Sequence, residues 1–392
     1  MSTLAVAHSR RPCNDDKMST GAARTTVSFR QTTGTFASGP KSLPQKYFVS
    51  PEIFAHEQQT LFSENWLLVG HQSQIAVAGD FFVATVVNES LIIVRDQSNQ
   101  IRAFYNVCRH RGSRLKEQAC GRSSAIQCPY HGWTYRLDGR LIGAPHMDDV
   151  PGFDKADYSL SAVKLGIWEG FIFVNLAKES LPLEQWLAPL KGKFSHWNIS
   201  ILKPAKRIEY DVGANWKLMF ENYSECYHCP GVHPQLQKIS PYDSAENDLC
   251  DGPFLGGFMK INPGKSLTVS GDACAAFVGK IEDVQQVFYY SIFPNMLLSL
   301  HPEYVMVHQL WPRSPERTLI VCDWFFHPDA FLRESFNPDD AIKFWDMTNR
   351  QDWHVCELSQ QGIRSRSYQP GPFSSRESIP AAWDRYYLQV MG

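Results

Sequence analysis

An α+β fold is predicted for this chain of 392 residues: an N-terminal all-β domain, then a larger domain in which helices cover an antiparallel sheet. Three observations predict it. Between Trp66 and Ile142, short runs rich in β-branched and aromatic residues alternate with turn residues such as Asp96–Asn99 and Asp138-Gly139, the pattern of a small antiparallel domain. Beyond residue 205, helical stretches are mixed with longer strand-like runs. The length suits two cores better than one.

Composition narrows the function classes. Apolar residues make up 43% and charged residues 20%, the balance of a globular chain, and a formal net charge of −2 gives a polyanion no reason to bind. No apolar run is long enough to cross a bilayer. Neither nucleic acid nor membrane is an expected partner. The 10 cysteines are scattered, and no secretory signal is visible, so a disulfide framework is not expected and a reducing cytoplasm fits better. An organellar location stays open.

Taken in order, residues 1 to 42 are rich in Ser, Thr, Gly, Ala and Arg without hydrophobic periodicity, which predicts a disordered tail. Arg10-Arg11 is followed by Pro12-Cys13-Asn14-Asp15-Asp16-Lys17 where an export signal needs an apolar segment, and Met18 is an alternative start. Ser50-Pro51-Glu52 is a helix start, with the helix running to about Phe62. Strands are expected at Trp66–Val69, Phe81–Val87, Leu91–Arg95, Ile101–Asn106, Thr134–Leu137 and Arg140–Ile142. The β domain is bounded at 43 to 162, and the strands of 163 to 176 are read as leading out into a second domain of 163 to 392. There a helix is expected near 215 to 228, strands at 285 to 293, 304 to 311 and 317 to 326, then a long helix from Asn337-Pro338-Asp339-Asp340 to Gly362.

The loops of the β domain carry Cys108-Arg109-His110 and, after seventeen residues, Cys128-Pro129-Tyr130-His131-Gly132-Trp133. Each loop offers one soft thiolate and one imidazole, and two such loops meeting make a metal centre. A structural zinc site is the plainer possibility. Zinc fingers, however, pair Cys with Cys and His with His along the chain. One Cys and one His per loop suits a [2Fe–2S] cluster in which two Cys hold one iron and two His the other.

These two segments resemble the fingertips of the Rieske domain of Rieske non-haem iron oxygenases, and the resemblance extends from about residue 43 to the C-terminus. It implies a terminal oxygenase subunit, holding the cluster through Cys108, His110, Cys128 and His131. It also implies a mononuclear Fe(II), with O2 as co-substrate. The stretch Glu225-Cys226-Tyr227-His228-Cys229-Pro230-Gly231-Val232-His233 is similar to the family's iron motif, an acid followed by His three and then five residues later. Two His and one carboxylate on one face of an iron leave positions open for O2. On a continuous helix His228 and His233 would diverge, and Pro230-Gly231 is expected to break the helix and let them converge. Asn215 caps that helix, and Trp216, Met219, Phe220, Tyr223 and Tyr227 form its apolar face.

The third ligand is expected from the long helix, where Ile342, Trp345, Asn349, Asp352, Cys356 and Ser359 share a stripe and Asp352 needs a cationic partner. Asp346, its rival, has Arg350 one turn on. Cys226 and Cys229 are read as small packing residues.

Ring-hydroxylating members carry Asp where this chain has Glu225. Resemblance places that departure among members acting on quaternary ammonium compounds such as glycine betaine, choline and carnitine, so hydroxylation of an N-methyl group is the leading reading. Hydroxylation of an aromatic ring is the alternative, and a Rieske electron carrier without substrate the alternative of another class. Glu225 is expected to join a ligand His of the iron to a cluster His, and a homotrimer is implied. No nicotinamide or flavin fingerprint is visible, so electrons from NAD(P)H would arrive through a separate flavin or ferredoxin-type reductase. Phe254, Phe258, Tyr289, Tyr290, Phe293, His301 and Tyr304 are candidates for lining a substrate pocket.

Overall fold

A computed structural model describes residues 40–276 and 285–392. The tail expected for residues 1 to 42, with Met18, lies outside the described residues except for its last three positions. The chain divides into two compact units, one spanning Ala55–Leu202 and the other formed by Lys203–Gly392 with the chain up to Phe54.

The unit of residues 55–202 contains three small antiparallel sheets. In one, Glu89–Arg95 lies between Ile101–Tyr105 and Asp80–Val86, with Cys120–Arg122 beyond. Its Leu-Ile-Ile-Val run from Leu91 to Val94 is buried throughout, as a central strand covered on both faces requires. A second sheet joins Ile126–Gln127, Thr134–Tyr135 and Leu141–Gly143, and a core of Phe104, Leu115, Ile126, Trp133 and Tyr135 packs against both. The third sheet corrects the expected domain boundary. Phe171–Asn175 pairs with both Lys164–Trp168 and Leu67–His71, so the strands of 163 to 176 close this unit, and the boundary moves from residue 162 to residue 202. The expected helix from Pro51 to Phe62 is present as Pro51–Glu57 continuing into a π-helical turn, Gln58–Phe62.

The other unit is a seven-stranded antiparallel sheet in the order Lys203–Val212, Arg317–Phe326, Tyr304–Ser314, Met296–Leu300, Gln286–Ile292, Phe254–Lys260, Glu246–Asp251. Four of these strands escape the sequence pattern. Lys203–Val212 is a largely exposed edge with no run of apolar residues, and Met296–Leu300 has no β-branched residue, so pairing on both sides rather than propensity makes it a strand. Trp216–Tyr223, Asp339–Ile363 and Ser378–Met391 are the main helices. The first packs against the other two, with Phe220 stacked on Trp383 at 5.2 Å. Among the described residues no helix is long and apolar enough to cross a membrane.

Candidate active site

The two fingertips fold alike. Cys108 N–H donates to Ser113 O and Gly112 N–H to Cys108 O at 2.8 and 3.1 Å, and Cys128 N–H donates to Trp133 O and Gly132 N–H to Cys128 O at the same distances. Gly112 and Gly132 close the turns at φ of +72° and +73°, a region that a side chain disfavours. The turns bury both cysteines and leave the imidazoles nearer the surface, with ring centroids of His110 and His131 at 4.7 Å. His110 also stacks on Trp133 at 4.7 Å and an interplanar angle of 6°. Its Nδ1 is buried with no hydrogen-bond partner among the described residues, as a nitrogen kept for a metal would be. Two adjacent thiols and two imidazoles, one of them orphaned, fit a Rieske cluster. Behind them Tyr135, which the sequence did not single out, lies with its hydroxyl 3.3 Å from Cys108 Sγ and accepts from Arg109 N–H at 3.1 Å.

The second centre is assembled from one turn and one helix. Asn215 caps Trp216–Tyr223, its side chain accepting from Lys217 N–H at 3.1 Å. The helix ends at Tyr223, earlier than expected, so Tyr227 lies outside it and is exposed. The break thus falls at 224 to 228. Pro230 and Gly231 do not make it; they lie within a single helical turn, Cys229–Val232, that His228 and His233 bracket. Cys226 and Cys229, expected to be packing residues, are joined by a disulfide across this turn.

His228 and His233 meet as expected, with ring centroids 5.1 Å apart. Asp352 Oδ1 lies 3.2 Å from His228 Nε2 and 2.7 Å from His233 Nε2. These are the three residues whose ligand atoms come together for a metal among the described residues. Asp346 is excluded as a ligand by its partners, Arg350 at 3.0 Å and the Tyr210 hydroxyl at 2.8 Å. On the other ring nitrogens, Glu225 Oε1 lies 2.5 Å from His228 Nδ1, and Gln351 Oε1 lies 2.8 Å from His233 Nδ1. Backbone N–H groups of Tyr227 and His228 donate to Glu225 Oε2. This is the outer shell that orients metal-binding imidazoles. Burial raises the Asp352 carboxyl, but hydrogen bonds from His228 and His233 hold it at about 2. Burial lowers His228, and hydrogen bonds to Asp352 and Glu225 overcome that to lift it to about 10. An ion pair so poised, with a proton where a cation would sit, fits a divalent iron.

A cavity opens over this centre, lined by Tyr223, Phe258, Tyr289, Met306, His308, Trp345 and Trp353 among others. Of the proposed pocket residues Phe258 and Tyr289 line it, and Phe254, Tyr290, Phe293, His301 and Tyr304 do not. Those five have structural work instead. Phe293 packs among Trp216, Trp383 and Tyr386, His301 stacks on Tyr304 at 4.2 Å, the Tyr290 hydroxyl donates to Asp248, and the Tyr304 hydroxyl donates to Leu267 O. Phe254 is buried opposite Asp251 and Ile292 in the sheet.

Both domains match known families. Residues 65–154 match the Rieske [2Fe-2S] domain, and residues 200–392 the catalytic domain of the ring hydroxylating alpha subunit. The oxygenase subunit of glycine betaine monooxygenase from Chromohalobacter salexigens is 32% identical over 373 residues, which cover 86% of this chain and 82% of that protein. The chain belongs to the Rieske oxygenase family. Membership makes it an oxidoreductase and implies a [2Fe–2S] cluster and a mononuclear iron. The oxygenase subunit of carnitine monooxygenase from Acinetobacter baumannii is 36% identical over 333 residues, covering 83% of this Rieske oxygenase and 86% of the relative. Among solved structures, the quaternary ammonium Rieske monooxygenase CntA in complex with L-carnitine superposes with a TM-score of 0.76 at 26% identity, covering 90% of this chain and 96% of that one.

Proposed function

We propose that this Rieske oxygenase hydroxylates an N-methyl group of a small quaternary ammonium compound. The observation that carries this reading is the cavity over His228, His233 and Asp352: it is walled by aromatic rings, and no Lys or Arg among the described residues lines it. Ring faces attract a quaternary ammonium that cannot hydrogen-bond. The relatives are named for glycine betaine and carnitine, which supports that class. The Tyr289 hydroxyl, buried with no partner among the described residues, is the donor free to orient the polar end of such a substrate.

His228, His233 and Asp352 would hold the iron, and Cys108, His110, Cys128 and His131 the cluster. When bound, the iron activates O2 with electrons that the cluster supplies. One O2, two electrons and two protons place one oxygen atom in a methyl C–H bond and the other in water. The C–N bond of the N-hydroxymethyl product then breaks with its electron pair passing to nitrogen, the hydroxyl proton goes to solvent, and formaldehyde leaves. Residues of the chain fix the geometry: Gln351 and Glu225 orient the two imidazoles, and Phe258, Tyr289 and Trp345 exclude water. Electrons come from NAD(P)H through a separate reductase, and the working assembly is a homotrimer in which Glu225 links His228 to a cluster His of the neighbouring subunit. The report on a related quaternary ammonium monooxygenase refers to inter-subunit electron transfer, which favours that arrangement. Formaldehyde release from glycine betaine, choline and carnitine, assayed with a reconstituted reductase, tests the reading. Hydroxylation of an aromatic panel with no formaldehyde from any quaternary ammonium compound would overturn it.

A further inference from the structure

Glu221 and Asp384 are buried carboxyls that the chemistry above does not use. Glu221 lies in the last turn of Trp216–Tyr223, one turn before Glu225, and Asp384 belongs to Ser378–Met391, which packs against it. Asp384 is 3% exposed, and neither of its oxygens, nor Glu221 Oε1, meets a donor among the described residues. The two side chains are nevertheless within hydrogen-bonding reach of each other. A carboxylate only accepts, so a bond between two carboxyls requires a proton on one of them. Two bare carboxylates in contact away from water would be strongly disfavoured.

The surroundings agree. Burial raises both groups above the carboxylate range; Lys217 on the same helix opposes this for both, while Glu377, at the start of the C-terminal helix, reinforces it for Glu221. Tyr368 and, on the long helix, Cys356 also sense Glu221. Glu221 opens into a second cavity, which Glu225, His228, Cys356 and Glu377 also line. That cavity connects Glu221 with the outer side of the metal centre, at Glu225 and His228.

We propose that Glu221 and Asp384 share a proton and act as a proton store for the metal centre, exchanging it with solvent through this cavity as the charge beyond Glu225 changes. The proposal rests on the reading of His228, His233 and Asp352 as the iron site. When positive charge is added there, a proton leaves the pair for solvent, and when an electron arrives from the cluster, a proton returns. Only an O–H bond breaks or forms. In a poorly polarisable interior such compensation keeps the net charge near the iron level through turnover.

Two measurements test it. In the metal-free chain at neutral pH, the infrared carbonyl band of a protonated carboxyl should be present and should vanish in Glu221→Gln/Asp384→Asn, with circular dichroism verifying the fold; Asp384→Asn alone serves if the double variant does not fold. Then anaerobic Fe(II) titration of the cluster-free Cys108→Ser chain, followed in two buffers of different ionisation enthalpy, should release up to about one proton fewer per iron when the pair is replaced. An unchanged infrared band or unchanged proton release overturns the proposal. Failure of iron to bind a chain with His228, His233 and Asp352 intact would overturn the iron reading instead, and the infrared result still decides the store.

Discussion

Glu225 Oε1 lies 2.5 Å from Nδ1 of His228, three residues on, so the carboxylate holds the ring whose Nε2 faces Asp352. The turn that allows this also aims two backbone N–H groups at Glu225 Oε2, which fixes the carboxylate before any partner arrives.

Glu225→Gln keeps the shape and removes the charge. Folding, cluster absorbance and iron content should survive, while electron transfer from cluster to iron slows by roughly ten-fold to a hundred-fold, the usual cost of losing an outer-shell partner. Stopped-flow reoxidation of the reduced cluster measures it, and an unchanged rate would remove Glu225 from the path.

Subunit mixing separates transfer within a chain from transfer between chains. Cys108→Ser and His228→Ala chains, each inactive alone, should regain partial turnover when co-assembled. No recovery, with mixed assembly verified by mass, would mean that electrons stay within one chain.

The two metal sets should be separable residue by residue. Replacing Cys108 or His131 should abolish the visible spectrum, whereas replacing His228, His233 or Asp352 should leave it and remove only iron and activity. Gln351→Ala should weaken iron binding by about ten-fold to a hundred-fold through loss of the bond to His233 Nδ1. Iron retained with full turnover in Asp352→Ala would require another ligand.

The metal-free chain should lose stability on both sides of mildly acidic pH. His228, raised to about 10, contributes stability that is complete below its ordinary value near 6.5 and is lost as pH rises toward 10. Asp352, lowered to about 2, contributes stability that is complete above about 4 and is lost as pH falls toward 2. Urea titrations should place the maximum between about pH 4 and 6.5, and His228→Ala should flatten the alkaline limb.

Tyr135→Phe removes a hydrogen bond near Cys108 Sγ. The reduced, more negative cluster loses more from this than the oxidised one, so the potential should fall by roughly 40 mV, the one-electron equivalent of about 1 kcal/mol. Protein-film voltammetry reads the shift, and a rise would mean that the hydroxyl does not donate to sulfur.

By itself the sequence determined whatever is local. Cys108 with His110, Cys128 with His131, and Glu225 with His228 lie within a few residues of each other, so spacing and turn chemistry alone bring each pair together. The runs at Leu91–Val94 and Tyr304–Phe326 likewise carry enough β pattern to be read as strands. Tertiary structure decided whatever joins distant segments. Asp352 prevails over Asp346 because the sheet and turn deliver His233 to one and Tyr210 to the other, from more than a hundred residues away. Phe258 faces the cavity and Phe254 does not, although both are aromatic residues of one strand. Met296–Leu300 is a strand only because two neighbours pair with it. Composition and period describe a residue's own stretch, whereas burial, pairing and electrostatics depend on what is packed against it, and that partner is set by the whole chain.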